Sequence, residues 1–293
     1  MRNRRFFVVI LFLPFGQLLA QDNFSEAFFY FNKNIQLHMP SGACAENDFE
    51  GNIAYRTYPG KLAIIRSYYA DANFNLRKKE FSTPGNSKHV VGLGFYNDRE
   101  GDFFTRARVL SRYAIHIPVS EEMYLSAGAS FHLINYNFSA SGTGASGSAW
   151  TWSGGIGTTL YSPTFKLGVS LNDFNSPNLR PVNFDFTIPR YLTLYGEKSQ
   201  EVAENVSVNG ASKLNLQSRS VSCILKLGLA FYETVGISGL YYVNKGIGAA
   251  FELNKIKLHN GLADLSFTYL IPGQKVSPSV SQYEINMRFS IDK

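Results

Sequence analysis

The sequence predicts an all-β protein, an antiparallel transmembrane β-barrel of about fourteen strands, the even number that bacterial barrels use. Three observations carry this: two-residue alternation of apolar and polar side chains along many short runs, an export signal, and an asymmetry between short and long connections. The clearest run is residues 283–292, Tyr-Glu-Ile-Asn-Met-Arg-Phe-Ser-Ile-Asp, apolar or aromatic at every odd position and polar at every even one. At two residues per repeat, one strand then presents two faces to two different solvents. Strands of soluble sandwiches also read this way, so the rest of the chain decides.

With 293 residues, 45% apolar and 15% aromatic, the chain can bury a core for one domain or two. Met1-Arg2-Asn3-Arg4-Arg5 is a basic start, Phe6 to Phe15 an apolar run too short to span a bilayer as a helix, and Leu19-Ala20-Gln21 a cleavage point. Residues 1–20 therefore read as a signal peptide and the mature chain as exported. Removing Arg2, Arg4 and Arg5 lowers the formal charge from +6 to +3, too small and scattered an excess to argue for nucleic acid. Cys44 and Cys223 are the only cysteines, so no disulfide framework is present. In the fourteen-strand reading Cys223 lies near the extracellular end on the lipid-facing parity and Cys44 at the periplasmic side, too far apart to be joined.

Residues 21–49 are aromatic-rich at first (Phe24, Phe28, Phe29, Tyr30, Phe31) and turn-like around Pro40-Ser41-Gly42. They read as an N-terminal periplasmic segment leading into a barrel over residues 50–293. In the clear runs Leu125, Ala127, Ala129, Phe131 and Leu133 alternate with Ser126, Gly128, Ser130 and His132, and Phe165, Leu167, Val169 and Leu171 with Lys166, Gly168 and Ser170. Residues 247–253 and 263–269 repeat the pattern. Asn52–Tyr58, Ile64–Arg77, His89–Asn97, Thr105–Ile117, Trp150–Tyr161, Tyr191–Lys198, Val206–Leu216, Val221–Phe231 and Val235–Val243 complete the set. The second face is small or polar nearly throughout, which suits the crowded or watery inside of a barrel better than the Lys, Glu and Thr surface of a sandwich.

If the first strand runs outward, the connections at Pro118–Ser120, Ser162-Pro163, Val202-Ala203 and Tyr232-Glu233 are periplasmic and short. Ser139–Ala149, Asp173–Pro189 and Pro272–Val280 then fall outside and are long, as bacterial barrels arrange them. Lys78–Lys88 and Lys255–Gly261 read as longer inner connections. No solenoid or propeller period is visible.

Tyr55-Arg56-Thr57-Tyr58-Pro59-Gly60 is followed by Gly92-Leu93-Gly94-Phe95-Tyr96-Asn97-Asp98-Arg99-Glu100-Gly101. Then come Tyr113-Ala114-Ile115-His116-Ile117-Pro118, Leu125-Ser126-Ala127-Gly128 and the closing Tyr283-Glu284-Ile285. In this order they resemble the PorP/SprF family of outer-membrane proteins from about residue 24 to the end, Glu284 matching the family's last-strand motif. Two elements depart: the segment before the first strand survives only as Asn34 and Met39-Pro40-Ser41-Gly42, and the late tyrosine motif is reduced to Phe267-Thr268-Tyr269-Leu270, so the chain is identified as a divergent member. The resemblance implies a location in the cell outer membrane and a role in type IX secretion and gliding motility. It further implies partnership with secretion components and with a large secreted, adhesin-like surface protein whose export or attachment is assisted.

Several residues invite sharper readings. His116 and His132 share the polar parity of their strands and are expected in the lumen. No spacing selects Ser126, Ser130 or Asn137 as partner of His132 in a hydrolase-like pair, so no catalytic residue is assigned. Asp98, Glu100 and Asp102 lack the oxygen-ligand pattern of a calcium loop and read as a solvated turn, and no metal or cofactor site is expected. Gly92 and Gly94 are strand glycines without a phosphate-binding context. Arg66, Arg106, Arg108, Arg112 and Lys166 are expected to pair with Asp71, Glu252 and Asp264 across a filled lumen, because buried charge needs partners, the alternative being an anion-selective pore. Trp150, Trp152, Tyr161, Tyr191, Tyr195, Tyr241 and Tyr242 suit interfacial girdles. The reading is a non-enzymatic barrel, with a diffusion channel or small-molecule transporter as its rival.

Overall fold

The computed structural model describes residues 28–43, 47–76, 87–139, 146–218, 220–243, 245–273 and 280–291. The expected signal peptide and Cys44 lie outside them. Fourteen strands form one closed antiparallel barrel. They are β1 (Phe49–Thr57), β2 (Arg66–Asn75), β3 (Lys88–Glu100), β4 (Phe104–Pro118), β5 (Tyr124–Ser139), β6 (Ser146–Tyr161) and β7 (Phe165–Asn172), then β10 (Tyr191–Ala203), β11 (Val206–Gln217), β12 (Ser220–Phe231), β13 (Val235–Tyr242), β14 (Gly246–Leu258), β15 (Gly261–Pro272) and β16 (Gln282–Ile291). A separate hairpin, β8 (Asn178–Val182) and β9 (Phe184–Thr187), interrupts the sequence between β7 and β10. Each expected run corresponds to one wall strand. Closure joins β1 to β16 in an antiparallel register with Gly51 opposite Phe289 and Asn52 opposite Arg288, so no strand edge is left for lipid, where an unpaired backbone group has no partner.

The side chains invert the usual protein. Leu227 and Leu93, at 67% and 60% exposure, are typical of an outer face made of Ile, Leu, Val, Phe and Trp, while Asn52, Glu284 and Asn286 are buried inside. That is the pattern of a wall with hydrocarbon outside. Cys223 lies on the outer parity near the start of β12, beside Ser222, which is buried inside.

Connections at residues 162–164, 204–205, 232–234 and 259–260 are tight and lie at the end where residues 48 and 291 meet. This is the periplasmic end by the loop rule; the opposite end carries residues 173–190, Gly273 and Ser281. The connection expected at Lys255–Gly261 is shorter than the sequence suggests. Strand β14 runs to Leu258 past a bulge between Leu253 and Ile256, with Lys255 at φ 54°. The extra residue flips the alternation and hides the strand's end. At the other end of the chain, residues 60–64 form a 3-10 turn, so β2 starts at Arg66 and not at Ile64.

Candidate functional site

The largest difference from expectation is the place of residues 28–43. The sequence suggested a periplasmic lead-in; the structure puts this segment inside the barrel, where Phe28, Tyr30, Phe31, Ile35 and Met39 are 2% exposed or less. Five aromatic or aliphatic side chains in a short stretch cannot stay in water at little cost, and each buried one contributes about 1.5–3 kcal/mol. A fourteen-stranded wall leaves an interior wide enough to accept them.

The aromatic side chains of the segment each meet wall residues. Phe28 packs against Tyr69 and Tyr96. Phe29 meets Tyr242 edge-on and lies under the Arg56 guanidinium, 5.7 Å from the ring centre. Tyr30 accepts a 2.6 Å hydrogen bond from Lys226 Nζ, and Phe31 packs on Tyr195. Glu284 of β16 takes two consecutive backbone donors, Phe29 N–H at 2.6 Å and Tyr30 N–H at 3.0 Å, and is itself steadied by Asn286 Nδ2 at 2.8 Å. Charge-assisted bonds of this kind are the strong ones, which compensates a carboxylate 1% exposed.

Further along, Lys33 pairs with Asp264 at 2.8 Å and Asn34 donates to Asn286 at 2.5 Å. Gln36 donates to Glu50 at 2.7 Å, and Glu50 is held by Arg288 at 2.6 Å. Residues 35–37 and 40–42 form short 3-10 turns that bring His38, Met39 and Ser41 against β5 to β7. Ser170 donates to the His38 carbonyl and Ser41 meets Thr159, both at 2.7 Å. Close approach here depends on glycine. A Cβ on Gly128 would stand 2.6 Å from Ser41 N and 2.7 Å from the Pro40 carbonyl carbon, and one on Gly168 would run into the Met39 thioether. The small lumen face read from the sequence is therefore crowded, not watery.

At the outer mouth the β8–β9 hairpin packs on the inner face of β4 to β6. Leu179 and Ile188, 3% and 6% exposed, pack with Ile134 and Tyr136, and Phe186 stacks on Phe104 at 5.9 Å. Below it Asp173 collects Ser153 at 2.6 Å and Arg108 at 3.4 Å. Burial alone would raise the Asp173 carboxyl, but the Arg108 guanidinium, the neighbouring His132 and the hydrogen bond from Ser153 hold it below the usual carboxylate range.

The lumen charges are largely paired, though not always as anticipated. Arg112 meets Asp71 at 2.7 Å with both side chains at most 1% exposed, and Asp71 also accepts from Tyr69 and Asn52. Arg106 goes to Asp98, Arg108 to Asp173, and Glu252 and Asp264 to Lys226 and Lys33. Arg66 is on the outer parity over the Tyr68 ring, not in the lumen, and Lys166 borders a cavity beside the segment. The acidic tip is tied to arginines: Asp98 and Glu100 to Arg106, Asp102 to Arg99. Among the described residues no group of three or more His, Cys, Asp or Glu side chains is placed to hold a metal ion.

His116 and His132 are in the lumen, 1% and 3% exposed. His116 Nδ1 meets the Tyr161 hydroxyl at 3.0 Å, and His132 stands 3.8 Å from Asp173, whose carboxylate already takes Ser153. The serine is thus on the carboxylate and not on the imidazole, the wrong order for a nucleophile and its base. Of the expected girdle, Trp150, Trp152 and Tyr241 are half exposed or more on the outer face, whereas Tyr161, Tyr191, Tyr195 and Tyr242 are buried inside. Tyr161, Tyr191 and Tyr195 share parity with Thr159 and Thr193, and Tyr242 with Ser238; parity outweighs aromatic character when the lumen is packed.

Solved outer-membrane barrels share the architecture. The Pseudomonas putida toluene transporter TodX aligns at TM-score 0.55 with 11% identity, over 88% of this chain and 93% of that one. The CymD monoaromatic hydrocarbon channel aligns at 0.54 with 12% identity, over 91% and 94%. A Pseudomonas aeruginosa FadL homologue aligns at 0.53 with 7% identity, over 91% and 94%. Likeness at such identity establishes the fold alone. No curated protein sequence matches the chain. The family described as type IX secretion system membrane protein PorP/SprF matches over residues 20–289, nearly its whole length and both ends of the Glu284 clasp. This outer-membrane barrel, filled by its own N-terminal segment, belongs to the PorP/SprF family.

Proposed function

We propose that this barrel is a non-enzymatic component of type IX secretion and gliding that assists export or surface attachment of one large secreted, adhesin-like protein. The observation that carries the reading is a lumen occupied by residues 28–43, with the β8–β9 hairpin packed on the inner wall near the outer mouth, in a member of a secretion family. A barrel so filled serves as a membrane-held platform, with its loops and rims available to other proteins and its interior withheld from diffusing solutes. Deleting the gene and comparing surface and culture-fluid proteins tests this: loss of one large protein from the surface is expected, and unchanged profiles refute it. The rival reading, a channel or small-molecule transporter, draws on the folds of TodX and CymD. Purified protein in planar bilayers is expected to be silent, whereas stable ohmic steps would favour the rival.

A further inference from the structure

The segment is held by chemistry suited to peptides in general. Glu284 grips two consecutive backbone N–H groups, which any dipeptide without proline offers, and the aromatic side chains drop into separate pockets on opposite walls. Three of them lie beside cations, with Arg56, Lys226 and Lys213 at 5.7, 4.3 and 5.7 Å from ring centres. Such contacts select aromatic rings without demanding one sequence.

Two further features mark the occupant as separable from its container. Among the described residues, the backbone–backbone hydrogen bonds of residues 28–43 stay within the segment, as from Asn34 N to Phe31 O and Met39 N to Ile35 O, so its departure breaks no sheet ladder. On the side toward the periplasmic end it does not fill its space. A cavity of about 240 Å³ lies there, bordered by Asn32, Gln36, Lys166 and the turn at Ser162–Phe165. Asn32 Oδ1 and Gln36 Oε1 are buried without a hydrogen-bond partner. Elsewhere the contacts are tight, as Ser41 against Gly128 illustrates.

We propose that the lumen is a peptide-binding site for an aromatic-rich, proline-free segment of a second polypeptide, and that residues 28–31 are the resident occupant that such a segment replaces. The proposal rests on the reading that the barrel handles a secreted polypeptide. The site itself is complete in one chain: the carboxylate clamp, the cations and the aromatic pockets come from strands on both sides of the barrel.

The test uses full-length protein in detergent and a fluorescein-labelled synthetic peptide with the sequence of residues 25–39, followed by fluorescence anisotropy. The double variant Phe28→Ser with Phe31→Ser weakens the resident and leaves every wall residue intact. Apparent affinity scales with the fraction of open sites, so the variant is expected to bind the peptide roughly tenfold or more tighter than the unmodified protein. A peptide with serine at the four aromatic positions should bind neither. Equal or absent binding by a variant that keeps the heat-modifiable migration of a folded barrel overturns the proposal. Hydrogen exchange on the unmodified protein decides independently of variant folding: the Phe29 and Tyr30 amides should exchange about 100-fold or more faster than the ladder amides of β16. Equal protection of the two sets overturns it. These outcomes concern the purified barrel, so they can fail while gene deletion still strips a protein from the surface, and the two readings are separable.

Discussion

Glu284→Ala removes the clamp that holds the segment inside the lumen. The carboxylate receives two backbone bonds, at 2.6 and 3.0 Å, and one from Asn286 at 2.8 Å. A hydrogen bond to a charged group contributes about 1.5–3 kcal/mol, so the two segment bonds amount to about 3–6 kcal/mol of docking. Part of this is offset, since the alanine variant no longer desolvates a carboxylate, and a net loss of about 2–4 kcal/mol remains. At 1.36 kcal/mol per factor of ten, local opening becomes roughly 30- to 1,000-fold more frequent. Residue-resolved hydrogen exchange at Phe29 and Tyr30 measures it, with the ladder amides of β14 and β15 as an internal reference that should not change. Faster exchange of segment and wall together would mean that Glu284 supports the whole barrel. A change below about threefold at Phe29 and Tyr30 would refute the clamp, because it falls under the smallest value assigned to one such bond.

Arg112→Met leaves the Asp71 carboxylate buried with only Tyr69 and Asn52, at a cost of about 3–5 kcal/mol in urea unfolding. Adding Asp71→Asn should recover part of the loss, and a purely additive double variant would show that the pair is uncoupled. On β16, Met287→Arg should cost about 2–4 kcal/mol near the bilayer midplane, and Phe289→Arg near the periplasmic edge about 1 kcal/mol or less. Ser290→Arg, on the lumen parity at the strand's rim, should be mild as well; equal loss of heat-resistant barrel in all three would contradict the face assignment. Burial holds His38 well below its ordinary value, Lys213 and Arg108 pushing the same way and Asp173 opposing. Released from the lumen, the imidazole titrates near 6.5, so below about that pH the released segment binds a proton that the docked one does not. Docking is therefore fully present above about pH 6.5 and weakens by up to tenfold per pH unit below it. Exchange at Phe29 corrected for intrinsic rate should show this, and His38→Gln should flatten it; a pH-independent unmodified protein would refute it.

Much of the container is legible in the chain. Alternation at Leu125–Leu133 and Tyr283–Ile291 specifies which side chains face lipid, because adjacent strand residues point to opposite faces whatever the rest of the fold does. The expectation that Arg112 and Asp71 face a common lumen follows from the same parity, and Glu284 stands in the last-strand motif. The glycines at 128 and 168 even carried a trace of the occupant, since small residues repeated on one lumen parity leave room for something. What fills that room was not legible. Residues 28–43 follow neither a two-residue nor a helical period, and the carboxylate that grips Phe29 lies 255 positions away. Nor could alternation place Tyr161 or Tyr195 by their aromatic character, because a packed lumen takes large rings as readily as the membrane interface does. Strand number, faces and polarity were thus determined by the sequence alone, since they depend on consecutive residues and the pleat. The plug, its clamp and the choice of charge partners were decided only by barrel closure, which brings together inner faces that no local pattern connects.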